Sequence, residues 1–196
     1  MNKPALLALA VVGVAAFGQS APSNMRIRGT IVALNGDVLT VNSRDGRKLR
    51  VQLAPDAQIG VAKATTLSKI KPGTYVGSAA MKRADGTLVA KEVHTLSPQA
   101  PAGHIPWDLE PGSTMTNADL AGVTKAAGGN EITLRYKDGE QKILVPPGTP
   151  VVTFTPGTRS ALKAGETIFT TAHIEPDGRL STQRIQVSKN GVRPAH

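Results

Sequence analysis

The stretch GTIVALNGDVLTVNSRDG, residues 29–46, returns later in the chain as AGVTKAAGGNEITLRYKDG, residues 121–139. The segments that follow keep the same order. LAPDAQI (53–59) faces VPPGTPV (145–151), and SKIKPGTYVGSAAMKRADGTL (68–88) faces SALKAGETIFTTAHIEPDGRL (160–180). The offset is 93 residues up to the Asp-Gly pairs at 45 and 138, and 92 from Pro55 and Pro147 onward, so one deletion in the third segment separates the copies. An internal repeat of this length sets the architecture before any single element is assigned.

Each copy reads as strands joined by tight turns. Asn35-Gly36, Asp45-Gly46, Asp85-Gly86, Asp138-Gly139 and Asp177-Gly178 are dipeptides that accept the positive φ angles of short hairpin turns. Between them the pattern alternates: Leu49, Val51 and Leu53 can face a core while Lys48, Arg50 and Gln52 face water. Only residues 66–71, stopped by Pro72-Gly73, and their counterpart 159–164, before Gly165, read as one or two helical turns. Three strands, a short helical element and a two-stranded hairpin is the order of an OB-type barrel. The expectation is an all-β protein of two tandem five-stranded OB-like barrels, residues 25–97 and 117–189. A proline-rich ordered connector (98–116) would join them, and a tail (190–196) would follow. The rival is one fused sandwich in which strands of both copies share a core.

Both repeats, with the connector GHIPWDLEPGSTMTN (103–117) and YKDGEQKILVPPGTPVVTF (136–154), resemble a family of uncharacterised bacterial exported tandem β-barrel domains. Some of its members are labelled metal transporter permeases. The resemblance covers nearly all of the chain after residue 20 and implies no activity or catalytic residue. A permease would need transmembrane helices, and the sequence after residue 20 holds no apolar run of that length.

MNKPALLALAVVGVAAFGQSA opens with Lys3, continues uncharged from Ala5 to Phe17 and ends in small and polar residues. This is the layout of a cleaved secretory signal, assigned here to residues 1–20, and the apolar run is short of the ~20 residues a membrane span takes. The expected location is therefore the periplasm or the exterior, as a soluble protein. The chain has no cysteine, which excludes disulfides, thiolate zinc sites, iron–sulfur clusters and a lipid-modified N-terminal cysteine. The formal charge is +9, or +8 without Lys3, when 22 basic residues face 14 acidic ones. Outside the cytoplasm such a balance favours anionic glycans or lipid headgroups, or serves solubility alone.

The motifs of catalysis are missing: no Gly-x-Ser-x-Gly elbow, no His-Glu-x-x-His, no phosphate loop and no dinucleotide fingerprint. The carboxylates fall mostly in turn dipeptides, so no acid–base pair stands out and no catalytic residue or cofactor is assigned. Nucleic acid is not expected either. The outward positions Thr40, Asn42, Lys48, Arg50 and Gln52 include no aromatic ring on which a base could stack, and the second copy offers only Tyr136. Metal binding is the sharper alternative, drawing on His173, Met81, His94 and His104, with His196 as a further histidine and Met25 and Met115 as further thioethers for Cu(I). Met81 and His173 occupy the same repeat position, five residues before the glycine of an Asp-Gly turn. Against this, no two histidines have ligand spacing, and His94 alternates with Val93 and Thr95 so as to point outward.

What remains is a noncatalytic binding or structural module, its partner an envelope protein or an anionic glycan. The connector holds the only tryptophan, Trp107, flanked by prolines 101, 106 and 111 and alternating with Ile105 and Leu109. Two roles are open to it. Trp107 can plug an apolar seam between the barrels, with its indole N–H on a carbonyl, or Trp107, His104 and Asp108 can form the lip of a ligand cleft.

Overall fold

The computed structural model describes residues 23–194. The assigned signal segment and His196 lie outside the described residues. The strands are β1 (Asn24–Asn35), β2 (Val38–Ser43), β3 (Lys48–Ala64), β4 (Tyr75–Lys82), β5 (Leu88–Thr95), β6 (Gly103–Pro106), β7 (Ser113–Ala126), β8 (Gly129–Tyr136), β9 (Gly139–Val145), β10 (Val151–Gly157), β11 (Thr167–Ile174) and β12 (Leu180–Val187). The two helical elements are single 3-10 turns, Leu67–Lys69 and Arg159–Ala161. The protein is all-β, as the alternation and the turn dipeptides required.

Local signals placed most of the turns. Gly36, Gly46, Gly86 and Gly178 all have positive φ, where a Cβ would be strained. The fifth turn is the exception: Tyr136 pairs with Gly139, so the turn is centred on Lys137 and Asp138 and Gly139 already belongs to a strand. Along β3, Val51 and Leu53 are buried while Lys48 and Arg50 are exposed, the predicted phase.

Five-stranded closure occurs twice, but not as one barrel per repeat. In the first barrel β1 pairs antiparallel with β2 and β11, β2 with β3, and β11 with β12, while β12 closes on β3 in parallel. In the second, β7 pairs with β4 and β8, β8 with β9, and β4 with β5, while β5 closes on β9 in parallel. Each barrel thus takes three strands from one repeat and the closing hairpin from the other. The closures are equivalent: Leu180 lies opposite Val51 as Leu88 lies opposite Ile143, each pair related by the 92-residue offset. The division into tandem units at 25–97 and 117–189 is a division of sequence, and the barrels cut across it.

The length of β3 accounts for the crossing. At ~3.3 Å per residue, 17 residues span ~55 Å, more than one small barrel uses. The first half pairs with β2. The second half stays paired with β12 as far as Val61 and on its other edge pairs antiparallel with β10 from Ile59 to Ala64, so the hairpin that follows arrives at the other barrel. Gly157 permits this ribbon, for a Cβ on it would lie 2.5 Å from Val61 Cγ2. Two apolar cores result. One combines Ile27, Ile31, Leu39, Val41, Val51 and Leu53 with Ile168, Ala172, Ile185 and Val187. The other combines Val76, Ala80, Leu88 and Val93 with Leu120, Ile132, Leu134 and Ile143.

Candidate functional site

The barrels leave an open cleft of about 860 Å³ between them. The first barrel lends it residues of β1, β3, β11 and β12, the second lends β5 and β7, and the connector forms the rim. The wall is rich in carboxamides: Asn24, Gln58, Gln99, Asn117, Gln183 and Gln186. Its charges are mixed, with Arg26 and Arg184 against Asp56 and Asp108.

The connector is ordered by β6, which pairs with β7 from Gly103–Asn117 to Pro106–Thr114. Asn117 Nδ2 donates to the Pro101 carbonyl (3.1 Å), the Tyr75 hydroxyl to the Ala100 carbonyl (2.9 Å), and the Trp107 N–H to the Ser113 carbonyl (2.8 Å). Lys91 on β5 pairs with Glu110 at 2.9 Å. The connector is held to the second barrel and reaches over to the first.

At its far end Trp107 is half-buried and does not plug an apolar seam. The Arg26 guanidinium lies 4.0 Å from its ring centroid and that of Arg28 5.5 Å, while Phe169 lies 6.3 Å away at a 53° tilt. Asp108 accepts from Arg28 at 2.8 Å and lies 3.7 Å from Arg26. Burial alone would push the Asp108 carboxyl up, but the Arg28 hydrogen bond and both arginine charges outweigh it and hold it below the usual carboxylate range. Because the ring is only partly covered, Trp107→Ala should cost about 1–2 kcal/mol, the worth of cation–π and tilted-ring contacts, instead of the 3–5 of a fully buried aromatic. Denaturant titration of the variant measures it.

Trp107 lines the cleft, but His104 does not share the lip. Alternation along β6 turns Gly103 and Ile105 toward the cleft and His104 the other way, where its Nδ1 lies 2.8 Å from the Thr116 hydroxyl. Burial and then the Lys82 charge push its pKa below 6.5. The unfolded chain therefore binds a proton that the folded protein resists, and stability present above pH ~6.5 falls as the pH drops through that value. Comparing the pH dependence of unfolding between wild type and His104→Gln should show a shallower fall in the variant between pH 7 and 5.

His94 corrects the sequence expectation most sharply. It points out of its own barrel, yet it is only 4% exposed, because that wall faces the cleft beneath the connector. A bulge at Lys91 also changes the phase of β5, since Ala90 lies opposite Ala80 but Glu92 lies opposite Ala79. Glu92 and His94 then share one face, with Glu92 Oε1 3.1 Å from His94 Nδ1 and both side chains buried. Cross-strand pairing puts His94, Gly77, Asn117 and Gly103 in one row over β5, β4, β7 and β6. A Cβ on Gly77 would lie 2.5 Å from His94 Nε2 and 2.8 Å from Asn117 Oδ1, so the missing side chain makes the imidazole's seat. The equivalent row in the first barrel is Gln186, Phe169 and Arg28. A glycine where the other repeat carries phenylalanine was the one sequence signal for this seat.

The metal candidates are dispersed. Met81 lies on β4 in the second barrel and His173 on β11 in the first, beside Asn24, so their shared repeat position does not bring them together. Among the described residues no group of three or more His, Asp or Glu converges. Among those residues, too, no helix is long and apolar enough to cross a membrane.

Compared with protein-family models, with curated proteins and with solved structures, the chain matches none.

Proposed function

We propose that this is a noncatalytic binding module of the bacterial envelope, exported to the periplasm or beyond, that holds a hydroxyl-rich ligand, a glycan chain, in the inter-barrel cleft. The observation that carries the reading is the presence of Trp107 and six carboxamides, from both barrels and the connector, around one cleft. Carboxamides both donate and accept, which matches sugar hydroxyls, and an indole beside them offers apolar surface to a sugar's C–H face. The buried carboxamide oxygens of Asn117 and Gln186 have no hydrogen-bond partner within the protein, so a ligand that donates to them gains what the apo wall lacks. The balance of Arg26 and Arg184 against Asp56 and Asp108 suits a largely neutral segment.

Trp107 is the only tryptophan, so intrinsic fluorescence reports on this cleft alone. Titration with cell-wall oligosaccharides should give a saturable change, weakened about tenfold in Gly77→Ala, whose new methyl displaces His94 and Asn117 from the floor. A flat titration with every glycan fraction would remove the reading. One observation favours a metal instead: a carboxylate set behind a histidine, as Glu92 is behind His94, is the way metal-binding imidazoles are oriented. A rise in unfolding temperature with Zn(II) or copper, absent in His94→Gln, would put that reading first.

A further inference from the structure

A second pocket, of about 420 Å³, lies on the first barrel where β1, the end of β2, β11 and the C-terminal segment meet. Arg28, Arg44 and Arg193 all line it, and no carboxylate does. Two buried polar atoms on its wall have no partner within the protein, Arg28 Nε and the Thr167 hydroxyl. We infer that this pocket is an oxyanion site that recognises a phosphate or phosphate monoester.

The arginines are not consumed by each other's counterions. Arg28 is nearly covered, its side chain 11% exposed, and spends Nη2 on Asp108 at 2.8 Å, on the connector side. Its Nε stays unanswered, and a buried guanidinium donor without an acceptor costs stability until an anion supplies one. Arg44 gives Nη2 to the Leu109 carbonyl at 3.2 Å, which leaves its charge uncompensated. Arg193 has no ion pair or side-chain hydrogen bond among the described residues. Among the described residues, Asp108 is the one carboxylate in an ion pair with any of these three arginines. Asp108 also shows the chemistry at work, for Arg28 already binds a carboxylate on one edge. A tetrahedral anion suits the rest, because its several oxygens can answer Arg28 Nε, Thr167 and the two outer guanidiniums together. The pocket is roomier than a bare ion needs, which leaves space for a group carried on a larger molecule as well as for the free ion.

The test uses the chain from residue 23 onward, with 15N-labelled arginine side chains, titrated with inorganic phosphate at constant ionic strength against chloride. A parallel arm measures flotation with phosphatidylcholine vesicles, with and without phosphatidic acid. The expected result is a saturable shift of the Arg28 Nε–H resonance, weakened about tenfold in Arg193→Gln and again in Thr167→Val. Arg193 is exposed, and circular dichroism establishes that its variant folds. Saturation by phosphate marks a small-ion site. Flotation that requires phosphatidic acid and is lost in Arg193→Gln marks a lipid-borne monoester. Silence in both arms, or binding equal in wild type, Arg193→Gln and Arg44→Gln, overturns the inference.

Discussion

Cut between Pro98 and Gln99, the protein should yield two halves that do not fold as monomers and that reassemble when mixed. Residues 23–98 contain β1, β2 and β3 of the first barrel together with the hairpin β4–β5 of the second, and nothing in that half closes either barrel. The first core would lose Leu162, Ile168, Ile185 and Val187. At about 2 kcal/mol for each buried aliphatic side chain, that is roughly 8 kcal/mol, comparable to the whole stability of a typical domain. Four barrel seams also open, because the parallel closures β3–β12 and β5–β9 and the antiparallel pairings β1–β11 and β4–β7 all join one half to the other. Alone, each half should be unfolded or should pair with a second copy of itself in the same crossed arrangement, as exchanged elements do in swapped dimers. Light scattering and circular dichroism on the separate and mixed halves measure this. A monomeric half with a cooperative unfolding transition would contradict the crossed topology outright.

Gly29→Ala should be among the most damaging small substitutions. Gly29 lies opposite Ser43 where β1 meets β2, and a Cβ there would run into the Asn42 carbonyl, 2.6 Å from Val41 Cγ1 and 2.8 Å from the Ser43 Cα. Two of those obstacles are backbone in a closed sheet, so neither a rotamer change nor a local shift relieves them. The expected loss is about 3 kcal/mol or more, at the upper end of what overpacking costs. Gly77→Ala is the contrast: it meets the ends of two side chains, His94 and Asn117, and should disturb the cleft more than the fold. Urea unfolding of the two variants side by side tests the distinction. Equal losses would mean that the His94 seat is as rigid as the barrel wall.

The candidate sites were legible only in part. Trp107 and Asp108 stood out because the connector is unlike anything else in the chain, and both lie at the junction of connector and first barrel. His94 was misread, since alternation tells a side chain which way to leave its own sheet and nothing about what covers that sheet. The second pocket could not be read at all, because Arg28 and Arg193 come from opposite ends of the sequence and Thr167 from the other repeat.

The strands, the turns and the duplication were determined by the sequence itself, because each is a local matter. A two-residue period buries Val51 and Leu53, and glycine alone takes the positive φ of Gly36, Gly46, Gly86 and Gly178 without strain. Which hairpin closes which barrel was decided by the tertiary structure. The repeats present near-equivalent edges, so β4–β5 fits the pattern of either barrel, and no local signal separates the two pairings. The long run of β3, paired with β12 as far as Val61 and locked antiparallel to β10 as far as Ala64, carries the hairpin across. That crossing also creates the cleft, because it holds two barrels side by side with one connector strapped over the space between them.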